Sequence, residues 1–313
     1  MSLIRIVTPE PPDSRRGNRV TAHRWEKMLV DQGHDVIVEQ ALSGEADLLI
    51  ALHATKSRAA VAAFRGPAVV ALTGTDLYGD LARGDRDAGA SVKDAVRLIV
   101  LQPRAIDALE PQLRGKARVV YQSTETPAPA PERAPPFRVV VVGHMRAVKD
   151  PFRTAEAVGM VSEDSPVRVV HIGRPLDADT RDRVRTESRE NPRYQWLGEL
   201  SRPDTLVEIA RSQLLCLTSV MEGGANVVTE ALACGTPVVT SRIDGSLGLL
   251  GDDYPGMFEV GDTPALAKLL SRASTDGSFY AELSARCAAL RHLAEPATER
   301  DALRALLAEL SDF

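Results

Sequence analysis

Residues Met221–Pro237 read M-E-G-G-A-N-V-V-T-E-A-L-A-C-G-T-P, with Leu214-Leu215-Cys216-Leu217 before them and Val238-Val239-Thr240 after. The flanks are apolar strand patterns. Between them lie a glycine loop, one short helix and a Gly-Thr-Pro stop. Strands joined through a helix run parallel, so the stretch points to an α/β sheet. The loop also suggests chemistry. A helix beginning near Ala225 presents backbone N–H groups and the positive end of its dipole to an anion. Glu222, on the loop, and Glu230, about one turn into the helix, can accept hydrogen bonds from sugar hydroxyls. A phosphate with polyols on both sides is a nucleotide-sugar. The dipole alone favours acidic residues near a helix start, which accounts for Glu230. It does not account for Gly223-Gly224, a pair that signals close backbone approach or positive φ.

The same rhythm extends in both directions. Upstream, short β-branched runs recur at Leu3–Val7, Asp35–Glu39, Asp47–Leu52, Ala68–Thr73, Leu98–Leu101 and Arg118–Tyr121. Helix-period segments lie between them, for example Asn18–Gln32 closed by Gly33, and Thr55–Phe64 closed by Gly66. The proline-rich stretch Thr124–Pro136 cannot be a helix or an interior strand and reads as a stiff linker. Strand patterns then resume at Phe137–Val142, Val167–Ile172, Tyr194–Leu197, Leu214–Leu217, Pro237–Ser241 and Gly256–Val260. The expected fold class is α/β: two Rossmann-like, doubly wound parallel-sheet domains facing across a cleft. Residues 1–125 form the first, 126–136 the linker and 137–295 the second. The tail is helical and breaks at Pro296, so residues 296–313 are expected to form a last helix packing back on the first domain.

A chain of 313 residues is comfortable for two such cores. Its 38 Lys and Arg against 43 Asp and Glu leave a net charge of −5, which argues against a nucleic-acid surface. Cys216, Cys234 and Cys287 lack metal-ligand spacing, and a disulfide framework is not expected. No apolar run approaches the ~20 residues of a membrane span, and the first strand is too short for a signal peptide. A soluble, cytoplasmic protein without stable membrane association follows as the expectation.

Strand ends supply the other candidate residues, since ligands of open α/β sheets bind at the carboxyl ends of strands. After Val139–Val142 comes Gly143-His144-Met145-Arg146-Ala147-Val148-Lys149-Asp150-Pro151. Arg146 and Lys149 there could neutralise a diphosphate and stabilise it as a leaving group, or could simply be solvated. After the first strand, Gly17 permits tight approach and Asn18 is a good N-cap, though a plain capped turn would look the same. The dinucleotide fingerprint is absent, which counts against a nicotinamide enzyme. In the first half, His53 and Thr73-Gly74-Thr75-Asp76 follow strands. Asp76 could cap a helix or orient a substrate. His171-Ile172-Gly173-Arg174-Pro175 and Trp196-Leu197-Gly198-Glu199 end strands of the second half, either as a base pocket or as plain turns.

Together these pieces resemble the retaining, nucleotide-sugar-dependent glycosyltransferases of family four, which have the GT-B fold. E-G-G-A-N-V-V-T-E-A-L-A-C-G-T-P-V-V is similar to that family's double-glutamate motif nearly residue for residue. The resemblance implies that Glu222 touches sugar hydroxyls, that the backbone of Gly224, Ala225, Asn226 and Val227 meets the phosphate or sugar, and that Glu230 meets the ribose. Lys149 falls where the family places a diphosphate-binding lysine. Two departures stand out. The family's G-R-L before that lysine is Gly143-His144-Met145 here, with Arg146 as the substitute. The family's histidine before the glycine of the fourth strand is Thr73 here, which fits an unusual acceptor.

A narrower resemblance covers essentially the whole chain. Thr8–Trp25 (T-P-E-P-P-D-S-R-R-G-N-R-V-T-A-H-R-W), Leu72–Tyr78 (L-T-G-T-D-L-Y), Gly143–Pro151 and the double-glutamate stretch look like the selenosugar synthases of selenoneine biosynthesis. Those enzymes join selenophosphate to a UDP-sugar, typically UDP-N-acetylglucosamine, through a carbon–selenium bond. The implied site has Lys149, Arg146 and Glu222 in catalysis. Nucleotide-sugar contacts fall to Gly17, Asn18, Gly173, Arg174, Leu197, Gly223, Gly224, Ala225, Asn226, Val227 and Glu230. Acceptor contacts fall to Arg16, His53, Lys56, Thr73, Gly74, Thr75 and Asp76. Arg15, Arg19 and Arg58 lie near the same strand ends, as a small anionic acceptor would require. Selenophosphate is already anionic and needs no strong general base. Neither a cofactor nor a metal is expected, the UDP-sugar being a co-substrate. A glycosyltransferase with an alcohol or lipid acceptor, and a non-catalytic nucleotide-sugar-binding protein, remain open.

Overall fold

The computed structural model describes residues 1–14, 17–126 and 132–310. Arg15, Arg16 and positions 127–131 of the expected linker lie outside the described residues. The chain forms two compact units. One holds Met1–Gln122, Glu222–Gly224 and Pro296–Phe313; the other holds Ser123–Met221 and Ala225–Glu295.

The first unit contains a parallel six-stranded sheet: β1 (Leu3–Val7), β2 (Asp35–Glu39), β3 (Leu48–Leu52), β4 (Ala68–Ala71), β5 (Arg97–Val100) and β6 (Ala117–Val119). The strand order is β2-β1-β3-β4-β5-β6, so the order reverses between β1 and β3, where Ile6 pairs with Ile50. Strand β3 is buried along its whole length, and alternation sends its side chains to two cores. Leu49 and Ala51 join Val70, Leu72, Leu98 and Val100 on one face. Ile50 and Leu52 join Ile4, Ile6, Val69 and Ile99 on the other, under Trp25 and Leu29 of the helix Gly17–Val30. Each valine, leucine or isoleucine so buried contributes about 1.5–3 kcal/mol.

The helix Pro296–Glu309 belongs to this unit, and Leu303, Leu306 and Leu310 complete the second core. Proline suits its first position, where no N–H is needed. Glu299, with no exposed surface, accepts from Arg24 Nε at 2.7 Å and Nη2 at 3.0 Å, and from Trp25 Nε1 at 2.7 Å.

The second unit repeats the architecture with β7 (Phe137–Val142), β8 (Val167–Ile172), β9 (Tyr194–Gly198), β10 (Leu214–Leu217), β11 (Val238–Ser241) and β12 (Met257–Phe258). The order is β12-β11-β10-β7-β8-β9. Its reversal falls between β7 and β10, where Leu215 pairs with Val140. Among the described residues no helix is long and apolar enough to cross a membrane.

Several sequence expectations need correction, and the strands expected at Ala68–Thr73, Leu98–Leu101 and Arg118–Tyr121 span Ala68–Ala71, Arg97–Val100 and Ala117–Val119. The helix expected over Thr55–Phe64 begins at Arg58, because His53 takes a φ of 77° and Ser57 and Arg58 are spent closing turns onto His53 and Thr55. The last strand contracts to Met257–Phe258. It pairs only with β11, and an edge strand with one neighbour has half the hydrogen bonds to hold its ends.

Candidate functional site

In the second unit the sequence change after β7 builds a tight loop. Ala147–Lys149 forms a single turn of 3-10 helix, and Asp150 adopts a left-handed backbone with φ 43°. A non-glycine residue there costs of order 1–3 kcal/mol and must be held by its surroundings. Thr218, just past the end of β10, donates its Oγ1 hydrogen to the carbonyls of Lys149 and Asp150, both at 2.9 Å. Val220 N–H donates to Val148 O at 2.9 Å, and Arg153 Nε to Asp150 Oδ2 at 2.7 Å. Lys149 is thereby fixed at the sheet's switch point, where ligands of this architecture bind. Arg146, at the start of the same turn, is exposed and has no ion-pair partner among the described residues.

The helix Asn226–Cys234 starts after Ala225, and no side chain caps it. It ends at Gly235, whose φ of 67° is the left-handed stop the Gly-Thr-Pro pattern predicts. Val227 and Glu230 are buried on it. Glu230 Oε1 meets Arg202 Nη1 at 3.0 Å. Sequence reading missed Arg202; only its odd place at a helix N-terminus, before Pro203, could have flagged it. Arg133 was missed too. From the proline-rich segment it donates through Nη2 to Cys234 O and Thr236 Oγ1, both at 3.0 Å, closing the far end of this helix.

Beside Lys149 the turns after β7 and β8 are knitted together. A Cβ on Gly173, whose φ is 148°, would lie 1.9 Å from Gly143 O, so only glycine fits. Met145 N–H donates to Arg174 O at 3.0 Å, and Trp196 Nε1 to Gly173 O at 2.8 Å. Leu197 is half-buried. His144 Nε2 and Arg174 Nε approach Glu199 at 3.8 and 3.9 Å. His171 is enclosed against the Tyr194 hydroxyl at 2.6 Å, and burial pushes its pKa down to about 4, which keeps it neutral.

In the first unit the ends of β3 and β4 are organised by Asp76. This carboxylate has no exposed surface and accepts from four backbone N–H groups: Ala54 on Oδ2 at 2.9 Å, and Thr73, Gly74 and Leu77 on Oδ1 at 2.9, 2.8 and 3.1 Å. It thus shapes the loop that carries Thr73, Gly74 and Thr75. The two ring nitrogens of His53 are both engaged, Nδ1 with Lys56 N–H at 3.4 Å and Nε2 with Thr75 Oγ1 at 3.1 Å. Burial lowers the pKa of His53, and the nearby Asp76 carboxylate only partly offsets this. Among the described residues, His53 and Asp150 are the non-glycine positions with positive φ, one beside each candidate strand end.

Glu222–Gly224 clusters with this unit. A Cβ on Gly223 would lie 2.6 Å from Thr73 O, one on Gly74 2.5 Å from Gly223 N, and one on Gly224 2.6 Å from Leu101 Cβ. Close approach, not positive φ, is what the glycine pair supplies. The cations nearby differ in availability. Lys56 is exposed, Arg58 pairs with Asp94 at 2.5 Å, and Arg19 is buried with its Nε donating to His23 at 3.0 Å. Gly17 is exposed, and Asn18 lies inside the first helical turn instead of capping it, since the helix already begins at Gly17. Arg16 lies outside the described residues.

The fold defines a protein of two Rossmann-type α/β units, each with braced loops at its strand ends. The family described as glycosyl transferases group 1 matches residues 122–289, more than half of the chain, and the chain belongs to that family. Over 116 residues it is 27% identical to the lipopolysaccharide core biosynthesis glycosyltransferase LpsE of Rhizobium meliloti (strain 1021). That match covers 37% of this chain and 34% of the relative, so the chain spans about a third of that relative's length. Among solved structures, Anabaena HepE in complex with UDP and glucose superposes with a TM-score of 0.77 at 16% identity, covering 99% of this chain and 100% of that one. Sucrose-phosphate synthase from Thermosynechococcus elongatus gives 0.76 at 14% identity, over 99% of each chain. At such identities the likeness shows the fold, GT-B, and nothing finer.

Proposed function

We propose that this chain is a selenosugar synthase, transferring the sugar of a UDP-sugar, UDP-N-acetylglucosamine, to selenophosphate. Selenium attacks the anomeric carbon, the carbon–oxygen bond to the nucleotide breaks, and UDP leaves with the electron pair. Lys149 and Arg146 stabilise the departing diphosphate, Glu222 positions the sugar and Glu230 accepts from the ribose. HepE, of the same fold, is described in complex with UDP-glucose, which supports a UDP-sugar donor.

The observation that carries the choice of acceptor is the state of Asp76 and His53. An alcohol acceptor must lose a proton as it attacks, and a base within hydrogen-bond reach normally takes it. The carboxylate at the end of β4 is occupied by four backbone N–H groups, and the imidazole at the end of β3 has both ring nitrogens engaged, by Lys56 N–H and by Thr75 Oγ1. Neither is arranged to take a proton, which favours a nucleophile that arrives already ionised. Three free thiols fit a reducing, cytoplasmic setting.

Incubation with UDP-N-acetylglucosamine and selenophosphate, followed by mass spectrometry, tests the proposal. The expected result is a selenium-containing sugar and stoichiometric UDP. Turnover only with alcohols or lipids would overturn the acceptor assignment. Binding of UDP-sugar with no consumption under any acceptor would mark a sensor, not an enzyme.

A further inference from the structure

We propose that Arg202 is the positioning residue for Glu230, holding its carboxylate in the orientation that reads the ribose diol of the nucleotide. This rests on the reading of Glu230 as the ribose partner. Arg202 is the first residue of the helix Arg202–Arg211, behind the N-cap Ser201. A cation there faces the positive end of the helix dipole, a placement the dipole disfavours. The local sequence therefore gives no reason for an arginine. The tertiary structure does. Its Nη1 lies 3.0 Å from Glu230 Oε1, and its Nη2 donates to Thr124 Oγ1 at 2.8 Å. The Thr124 backbone is itself tied to Ala294 O at 3.2 Å.

The asymmetry in exposure shows what the pair does. The Glu230 side chain is 10% exposed and that of Arg202 is 37% exposed. A carboxylate enclosed to that degree has few directions open to it, and its neighbours decide where its oxygens point. The Arg202 guanidinium, planar and positively charged, lies against one oxygen of that carboxylate and sets where it points. The second bond, to Thr124, stops the guanidinium from following the carboxylate when a ligand arrives. Arg202 need not touch the nucleotide to set how well the ribose is recognised.

Calorimetric titration of the full chain with UDP and with 2′,3′-dideoxy-UDP tests this. Hydrogen bonds to a charged group are worth about 1.5–3 kcal/mol, so the wild type should prefer UDP by at least about tenfold. Arg202→Ala should bring that ratio to within about threefold of unity while leaving affinity for the dideoxy nucleotide within about twofold, which also verifies an intact pocket. Arg202→Lys should keep part of the preference. A full preference in Arg202→Ala overturns the proposal, and so does equal loss of both nucleotides in Arg202→Ala and Arg202→Lys. Glu230→Gln separates the two readings. If it abolishes the preference and Arg202→Ala does not, only the role of Arg202 fails; if it leaves the preference intact, the ribose assignment of Glu230 fails first.

Discussion

The backbone around Lys149 is held by contacts that do not involve its amine. Thr218 holds its carbonyl, and Asp150 beside it is kept in a left-handed conformation by two further contacts. Removing the amine should therefore leave the turn standing. Lys149→Ala is expected to keep the unfolding midpoint of the wild type while lowering turnover about 10²–10³-fold, the size of effect seen when one preorganised electrostatic contact is removed from a transition state. Steady-state kinetics beside a urea titration would check both halves. Glu222, Glu230 and Lys149 stand out in the sequence because each belongs to a short, continuous run with a local pattern of its own, and their roles are those proposed above. Arg202 and Arg133 do not stand out, because their roles arise only where distant segments meet.

The last helix shows how burial sets the worth of an ion pair. Glu299, wholly enclosed against Arg24 and Trp25, leaves those donors stranded if removed. Glu299→Ala should destabilise the chain by about 3–5 kcal/mol in urea unfolding. Glu309, near the other end of the helix, bonds to Arg118 and Arg97 at the surface. Hydrogen bonds from Arg118 and then Arg97 lower its pKa to about 2 from an ordinary 4.5. A carboxylate depressed in the folded state contributes stability that is present above its unfolded pKa and lost as pH falls toward the folded value. The contribution should thus disappear between about pH 4.5 and 2. Solvent screening keeps it to about 1 kcal/mol or less. Glu309→Gln should flatten the acid limb of the stability curve by that amount, as measured by urea titrations at pH 3 and 7.

Across the molecule the two units carry different reporters. All three cysteines lie in the second. Burial pushes the Cys216 thiol up to about 12 and Cys234 to about 11, and raises Cys287. A thiol reagent at pH 8 should leave the native protein nearly unlabelled, with half-buried Cys234 reacting first. Full labelling should track unfolding of this unit through a urea series. UDP at about 100 times its dissociation constant should raise the stability read by labelling by about 2.7 kcal/mol. An unchanged labelling midpoint in UDP would count against a nucleotide site on this unit.

The alternation of β-branched runs with helix-period segments was enough for two parallel sheets, and it located β1, β2, β7, β8 and β10 to the residue. Such patterns are local: each strand and helix declares its own period, and parallel pairing follows from the helix between strands. Strand order, the turn that begins at His53 and the use of Asp76 as a loop brace came only from the folded chain. The same holds for the separation of Glu222–Gly224 from its neighbours and for the pairing of Glu230 with Arg202. These depend on which buried polar group meets which partner. That is settled by desolvation across segments far apart in sequence, and no spacing along the chain encodes it.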